Sequence, residues 1–143
     1  MTIIAYKDGV VAWDSRLTQG SGVLTNNWQK SKTIGAVTVW VAGDASALSE
    51  MAAWIQDRSY VFPLSASFGA ILWDGKSLAL VGKDSNEVVD FLDVPLDDVY
   101  AMGSGASYAI GAMDAGNSAM EATKIACKRD VFCGGRIRTK KLW

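Results

Sequence analysis

Thr2 stands directly behind the initiator methionine, and Asp14 closes the apolar run that follows it. Lys7-Asp8-Gly9 separates two short alternating apolar segments, and Asp-Gly in that setting signals a hairpin. Folding about Asp8 places Thr2 and Asp14 as cross-strand neighbours, a hydroxyl facing a carboxylate. Methionine is ordinarily trimmed ahead of a side chain as small as threonine. Trimming leaves Thr2 with a free α-amine of unperturbed pKa about 7.7 to 8.0, close enough to neutrality to serve as the threonine's own general base. The chain has no histidine. Serine–histidine–aspartate and cysteine–histidine nucleophile systems are therefore excluded, as is histidine-ligated zinc. Hydrolytic chemistry falls to carboxylates, lysines or an N-terminal amine.

A chain of 143 residues, half of them hydrophobic and with a formal net charge of −1, suits one globular domain with a real core. That balance carries no nucleic-acid-binding footprint. The basic segment Arg136-Ile-Arg-Thr-Lys-Lys141 alternates with apolar residues and reads as an edge strand rather than a phosphate site. No apolar run reaches the roughly 18 residues that cross a bilayer, and no signal peptide is evident. The expected setting is cytoplasmic, with Cys127 and Cys133 reduced. The two do not form a CxxC pair, so metal and redox motifs lack support.

The elements that must position Thr2 and Asp14 follow from turn and periodicity signals. Thr18 to Asn27 is polar, a loop or a loosely paired excursion. Trp28 to Ile34 reads as a strand carrying Lys30 and Lys32. Val37 to Ala42 reads as a buried strand ending at Gly43. A helix follows, capped by Asp44 or Ser46, with an apolar stripe at Leu48, Met51, Ala52 and Ile55. Ser67–Trp73 and Leu78–Val81 flank a second Asp-Gly turn at Asp74-Gly75. Glu87–Leu92 and Val99–Met102 read as further strands. A helix is expected from Ser104 to about Asp114. A second is expected from Ser118, boxed with Glu121, to about Lys128. Gly134-Gly135 turns the chain into a last strand. Segregated antiparallel strands and helices predict an α+β layered fold. The strand-borne tryptophans Trp13, Trp40 and Trp73 are assigned to core or interface packing, and Trp28 and Trp143 to the surface.

Several of these pieces carry a resemblance. Ala126-Cys-Lys-Arg-Asp-Val-Phe-Cys-Gly-Gly135 looks like the arginine–aspartate–x–x–serine–glycine–glycine signature of proteasome β-subunits, with Cys133 where serine is usual. Ala101-Met-Gly-Ser-Gly-Ala-Ser-Tyr-Ala109 is similar to the glycine–serine–glycine turn ahead of a helix, and Val41-Ala-Gly-Asp-Ala45 to the turn before the first helix. Asp14 and Lys30 stand sixteen residues apart, the family's usual separation. In order and over nearly the whole chain, these segments resemble the proteasome β-subunit and HslV branch of the N-terminal nucleophile (Ntn) hydrolases. The opening Thr-Ile-Ile is similar to small phage- and prophage-encoded members. The chain is shorter than typical members and its first hairpin is trimmed.

The resemblance implies a single domain over residues 1–143, a four-layer αββα sandwich of two antiparallel sheets between helices. It implies that Thr2 is the nucleophile of a threonine-type endopeptidase. Lys30 would supply a nearby ammonium and Asp14 would hold that ammonium charged. The N–H of Gly43 would stabilise an oxyanion. Ser104, Asp130 and Cys133 would surround the free amine. The implied partners are peptide or unfolded-protein substrates, further copies in a homo-oligomeric ring, and an ATP-driven unfoldase. No cofactor or metal is called for. Two rivals stand beside this reading: a catalytically silent scaffold of the same fold, and an amidase acting on small molecules.

Overall fold

The computed structural model describes residues 2–84 and 89–143. Contacts divide the chain into two compact units, Met1–Gln29 with Leu96–Trp143, and Lys30–Pro95. The first unit opens with β1 (Ile4–Lys7), β2 (Val10–Trp13), β3 (Leu17–Gln19) and β4 (Gly22–Thr25). The second holds β5 (Ser31–Ile34), β6 (Val37–Gly43), α1 (Ala47–Gln56), β7 (Phe68–Trp73), β8 (Leu78–Lys83) and β9 (Val89–Val94). The chain returns to the first unit with β10 (Tyr100–Met102), α2 (Ala106–Asp114), α3 (Ala119–Arg129) and β11 (Arg138–Lys141). Among the described residues every strand pair is antiparallel, and the class is α+β as the sequence predicts.

In the first unit the sheet order is β10-β1-β2-β11. Asp8 (φ 51°) and Gly9 (φ 75°) both occupy the left-handed region, the two-residue turn whose twist matches the flanking strands. That turn pairs Lys7 with Val10 and Ile4 with Trp13. The expected register is therefore corrected by one residue. A turn centred on Asp8 alone would set Thr2 against Asp14, whereas the two-residue turn sets Ile3 there, and the Asp14 N–H donates to the Ile3 carbonyl at 3.3 Å.

Ile3, Ala5 and Ala12 on one face of this sheet pack with Ala109 and Met113 of α2 and Ala119, Ala122 and Ala126 of α3. Alanine at these positions lets two helices close on the strands, and each fully buried larger side chain contributes about 1.5–3 kcal/mol. Helix α3 begins as the sequence indicates. The Glu121 N–H donates to Ser118 Oγ at 3.1 Å, and the Ser118 N–H donates to Glu121 Oε1 at 3.0 Å. Lys7 Nζ closes the far end of α2 by donating to the Met113 and Asn117 carbonyls at 2.9 and 3.0 Å. The polar stretch Thr18–Asn27 supplies most of the two-stranded sheet β3-β4, whose register shifts between Leu17 and Thr18. It is the loosely paired excursion rather than the loop.

The second unit is a five-stranded sheet in sequence order, β5-β6-β7-β8-β9. Val39 and Val41 of β6, Phe68, Ala70 and Leu72 of β7, and Ala79 and Val81 of β8 pack with Ala47 and Met51 of α1. Ser46 is the residue before α1, yet its hydroxyl makes no cap bond. The Asp44 carboxylate accepts the Ser67 N–H at 3.2 Å instead, so neither expected cap acts as one. Buried Lys83 places all three ammonium protons on carbonyls, of Leu64 (3.1 Å), Ala66 (2.9 Å) and Asp84 (2.9 Å), which is how a lysine with 6% exposure is accommodated. The strand expected from Trp28 begins at Ser31, and the helix expected from Ser104 begins at Ala106. The start expected at Glu87 lies outside the described residues. Among the described residues no helix is long and apolar enough to cross a membrane.

Ser118→Ala removes one half of the α3 capping box. It is expected to lower unfolding free energy by about 1 kcal/mol, read as a drop in urea midpoint with an unchanged slope. An unchanged midpoint would mean that α3 does not depend on its cap.

Candidate active site

Five of the seven residues singled out by sequence lie in the first unit, and there they share one hydrogen-bonded region. Thr2 precedes β1 and is 4% exposed. Its carbonyl accepts the Gly105 N–H at 3.5 Å. Gly103 (φ 103°) packs so closely on the same carbonyl that a Cβ there would overlap it. The glycine–serine–glycine turn between β10 and α2 is thus the seat of residue 2, and only glycine fits position 103.

Asp14, just past β2, has no exposed surface. Its Oδ1 accepts the Ile3 N–H at 3.1 Å, and its Oδ2 accepts the N–H of Gly134 at 2.9 Å and of Arg16 at 3.3 Å. One carboxylate therefore joins the residue after Thr2 to the glycine pair that follows α3. The Ser15 N–H donates back to the Gly134 carbonyl at 3.0 Å, which completes a two-way clasp.

Asp130 is the C-cap of α3. Its Oδ1 accepts the Phe132 N–H at 2.9 Å and its Oδ2 accepts the Cys133 thiol at 3.3 Å. Burial raises its pKa, but hydrogen bonds from Ser104, the Phe132 N–H and the Cys133 thiol outweigh this and hold the carboxyl below its ordinary value. Cys133 is 1% exposed and lies 3.7 Å from Ser104 Oγ. Its thiol is pushed strongly upward by hydrogen bonding with Cys127, by burial and by the charge of Asp14. Cys133 is therefore a proton donor to Asp130 and not a thiolate nucleophile.

Lys30 and Gly43 belong to the second unit. Lys30, immediately before β5, is 3% exposed, and its carbonyl accepts the Val41 N–H at 2.9 Å. Gly43 ends β6 with φ 134°, and a Cβ there would strike the Ser67 carbonyl and Phe68. Among the described residues no group of histidine, cysteine, aspartate and glutamate could hold a metal ion.

Sequence reasoning missed Arg16. Its Nε donates to Asn26 Oδ1 at 2.9 Å and its Nη1 to the carbonyls of Val131 (3.0 Å) and Cys133 (3.3 Å). The guanidinium lies against Gly134, where a Cβ would come within 2.5 Å of Cζ. Arg16 thus fixes the loop that carries Asp130 and Cys133. Its place two residues beyond Asp14 was the available signal.

No family model and no curated protein sequence matches the chain. Solved structures do. HslV from the eukaryote Trypanosoma brucei superposes with a TM-score of 0.70 at 22% identity, covering 97% of each chain. The fold is that of HslV. BPH from Thiobacillus denitrificans, solved in complex with epoxomicin, gives 0.67 at 18% identity over 99% of this chain and 98% of that one. A second BPH structure gives 0.64 at 18% identity, with the same coverage. The chain thus shares the α+β architecture of proteins of the HslV and proteasome β-subunit type, over nearly its full length.

Because the Asp130 carboxyl is held below its usual value, the stability it contributes is present above the unfolded carboxylate pKa and is lost as pH falls through the folded one. Asp130→Asn is expected to flatten the acid limb of the stability–pH curve relative to wild type, with the difference developing below about pH 4. Parallel curves for the two proteins would contradict this arrangement.

Proposed function

We propose that the chain is a threonine-type peptidase whose nucleophile is Thr2, exposed by removal of Met1. The observation that carries this reading is the seating of residue 2: its carbonyl rests on Gly103 and Gly105, while Asp14 holds the next N–H. An N-terminal nucleophile needs its own backbone fixed, because the terminus itself must be aimed at the substrate. In this reading Thr2 Oγ attacks the scissile carbonyl and its proton passes to the Thr2 amine. The leaving amine takes that proton as the acyl-enzyme forms, and water then releases the acyl group.

Ser104, Asp130 and Cys133 form the polar surround of the terminal amine, with Asp130 as its ionised acceptor. The roles of Lys30, as a cation that lowers the proton affinity of the amine, and of the Gly43 N–H, as an oxyanion donor, come from the family resemblance of their sequence positions. Asp14 is the backbone clasp that holds the N–H after Thr2. The HslV-type fold supports peptide or unfolded-protein substrates and a homo-oligomeric ring, with an ATP-driven unfoldase as the partner that would deliver folded substrates.

An epoxyketone probe followed by peptide mass mapping tests this. Met-free protein should carry one adduct at Thr2, and Thr2→Ala should carry none. An adduct on Cys133, or none on folded Met-free protein, would overturn the assignment. The second outcome would leave a silent scaffold of this fold.

A further inference from the structure

Cys127 and Cys133 are both thiols, six residues apart, a spacing that matches no redox motif. The exit from α3 is what brings them together. Asp130 caps the helix, its N–H donating to the Ala126 carbonyl at 2.8 Å, and the Cys133 N–H then donates to the Asp130 carbonyl at 3.1 Å. The chain therefore turns back on the last turn of α3, which carries Cys127. Both cysteines pack in the cluster formed by the first sheet with α2 and α3, and their thiols are hydrogen-bonded to each other. Their surroundings differ. Cys133 is 1% exposed, whereas Cys127 is only partly buried and can meet a small solute.

We propose that Cys127 and Cys133 are an oxidisable pair that closes to a disulfide when Cys127 meets a peroxide. Hydrogen peroxide transfers one oxygen to the Cys127 sulfur, giving a sulfenic acid, and is itself reduced to water. Cys133 then attacks the Cys127 sulfur. The S–S bond forms, the S–O bond breaks, and the departing hydroxide takes up the Cys133 proton as a second water. Overall the two thiols lose two electrons and the peroxide gains them. Asp130 Oδ2, which already accepts the Cys133 thiol at 3.3 Å, carries that proton across. Burial keeps Cys133 from the oxidant and holds it protonated, so it is the resolving thiol and Cys127 the sensing one. Contact between the two replaces encounter from solution.

A disulfide sulfur has no proton to donate. Oxidation therefore takes one donor from Asp130 and leaves it Ser104 and the Phe132 N–H. The change falls on the side chains assigned to the surround of the Thr2 amine, so the oxidised form is the less reactive one. That consequence rests on the proposed peptidase reading, and the disulfide does not. A serine at position 133, usual in the family that the sequence resembles, could not take part.

Treating the full chain, reduced and with Met1 removed, with a dose series of hydrogen peroxide tests this. Free thiols are then alkylated and peptides are mapped without reduction. The expected product is an intrachain Cys127–Cys133 link that dithiothreitol reverses. Cys127→Ser should leave Cys133 reduced, and Cys133→Ser should leave Cys127 as a sulfenic acid that dimedone traps. Circular dichroism checks the fold of each variant. No link while the methionines oxidise, links only between chains, or a trapped sulfenic acid on Cys133 would each overturn the proposal. Epoxyketone labelling of Thr2 is read on the same samples. It should slow several-fold when wild type is oxidised, recover on reduction, and stay unmoved by peroxide in Cys127→Ser. An equal loss in Cys127→Ser would overturn the consequence drawn for Thr2. Absence of labelling in the reduced protein would count against the peptidase reading alone, because the link is still read by mass.

Discussion

Asp14 has no solvent-exposed surface, yet its carboxylate holds three backbone N–H groups, those of Ile3, Arg16 and Gly134. A carboxylate taken out of water is costly unless its oxygens are filled, and filled oxygens make charge-assisted bonds stronger than neutral ones. The three donors come from three separate stretches of chain: the start of β1, the exit from β2, and the loop after α3. One side chain thus fixes where the N-terminal segment runs and where the glycine pair closes. The seat of Thr2 follows, since Ile3 is pinned on one side and the Thr2 carbonyl rests on Gly103 and Gly105 on the other.

The loop after α3 shows how a substitution can keep a network while changing its chemistry. Where serine is usual in the family that the sequence resembles, this chain has Cys133. A thiol donates more weakly than a hydroxyl, and here it is further held protonated by burial and by its neighbours. It still gives its proton to Asp130 at 3.3 Å and sits 3.7 Å from Ser104. Asp130 stays ionised because the Phe132 N–H and Ser104 share the task of stabilising its charge. Arg16 supports the same loop from outside by binding the carbonyls of Val131 and Cys133. The arrangement is over-determined, with backbone, thiol and guanidinium all converging on five residues.

Much of this was legible in the residues, for identifiable reasons. Asp8-Gly9 announced its hairpin because so few residue pairs accept left-handed turn geometry, and Asp74-Gly75 because glycine takes the left-handed position while Asp74 Oδ1 accepts the Lys76 and Ser77 N–H groups. Ser118 and Glu121 announced α3 because a reciprocal cap needs those two types three positions apart. What failed was finer. The first hairpin was off by one because alternation alone does not distinguish a turn centred on Asp8 from one centred on the Asp8–Gly9 bond. Ser46 sits where a cap should, but its αR backbone carries the hydroxyl away from that task. Arg16 was missed because two of its partners, the carbonyls of Val131 and Cys133, lie more than a hundred residues distant, and no side-chain pattern marks those. The fold as a whole was legible only through the ordered resemblance of weak motifs, at an identity of 22% to the T. brucei protein.

The central claim is that the Asp14 carboxylate ties the residue after Thr2 to the Gly134 loop. Amide hydrogen exchange measured residue by residue on wild type and Asp14→Asn tests it most directly. An amide side chain leaves only one oxygen to accept and turns an NH₂ group against the remaining donors. Hydrogen bonds to charged groups are worth about 1.5–3 kcal/mol, so the Ile3 and Gly134 amides should both exchange more than tenfold faster. Amides of β6, β7 and β8 should keep their protection. Unchanged protection at Ile3 and Gly134 would show that other contacts hold the terminus, and the account of how Thr2 is positioned would be wrong.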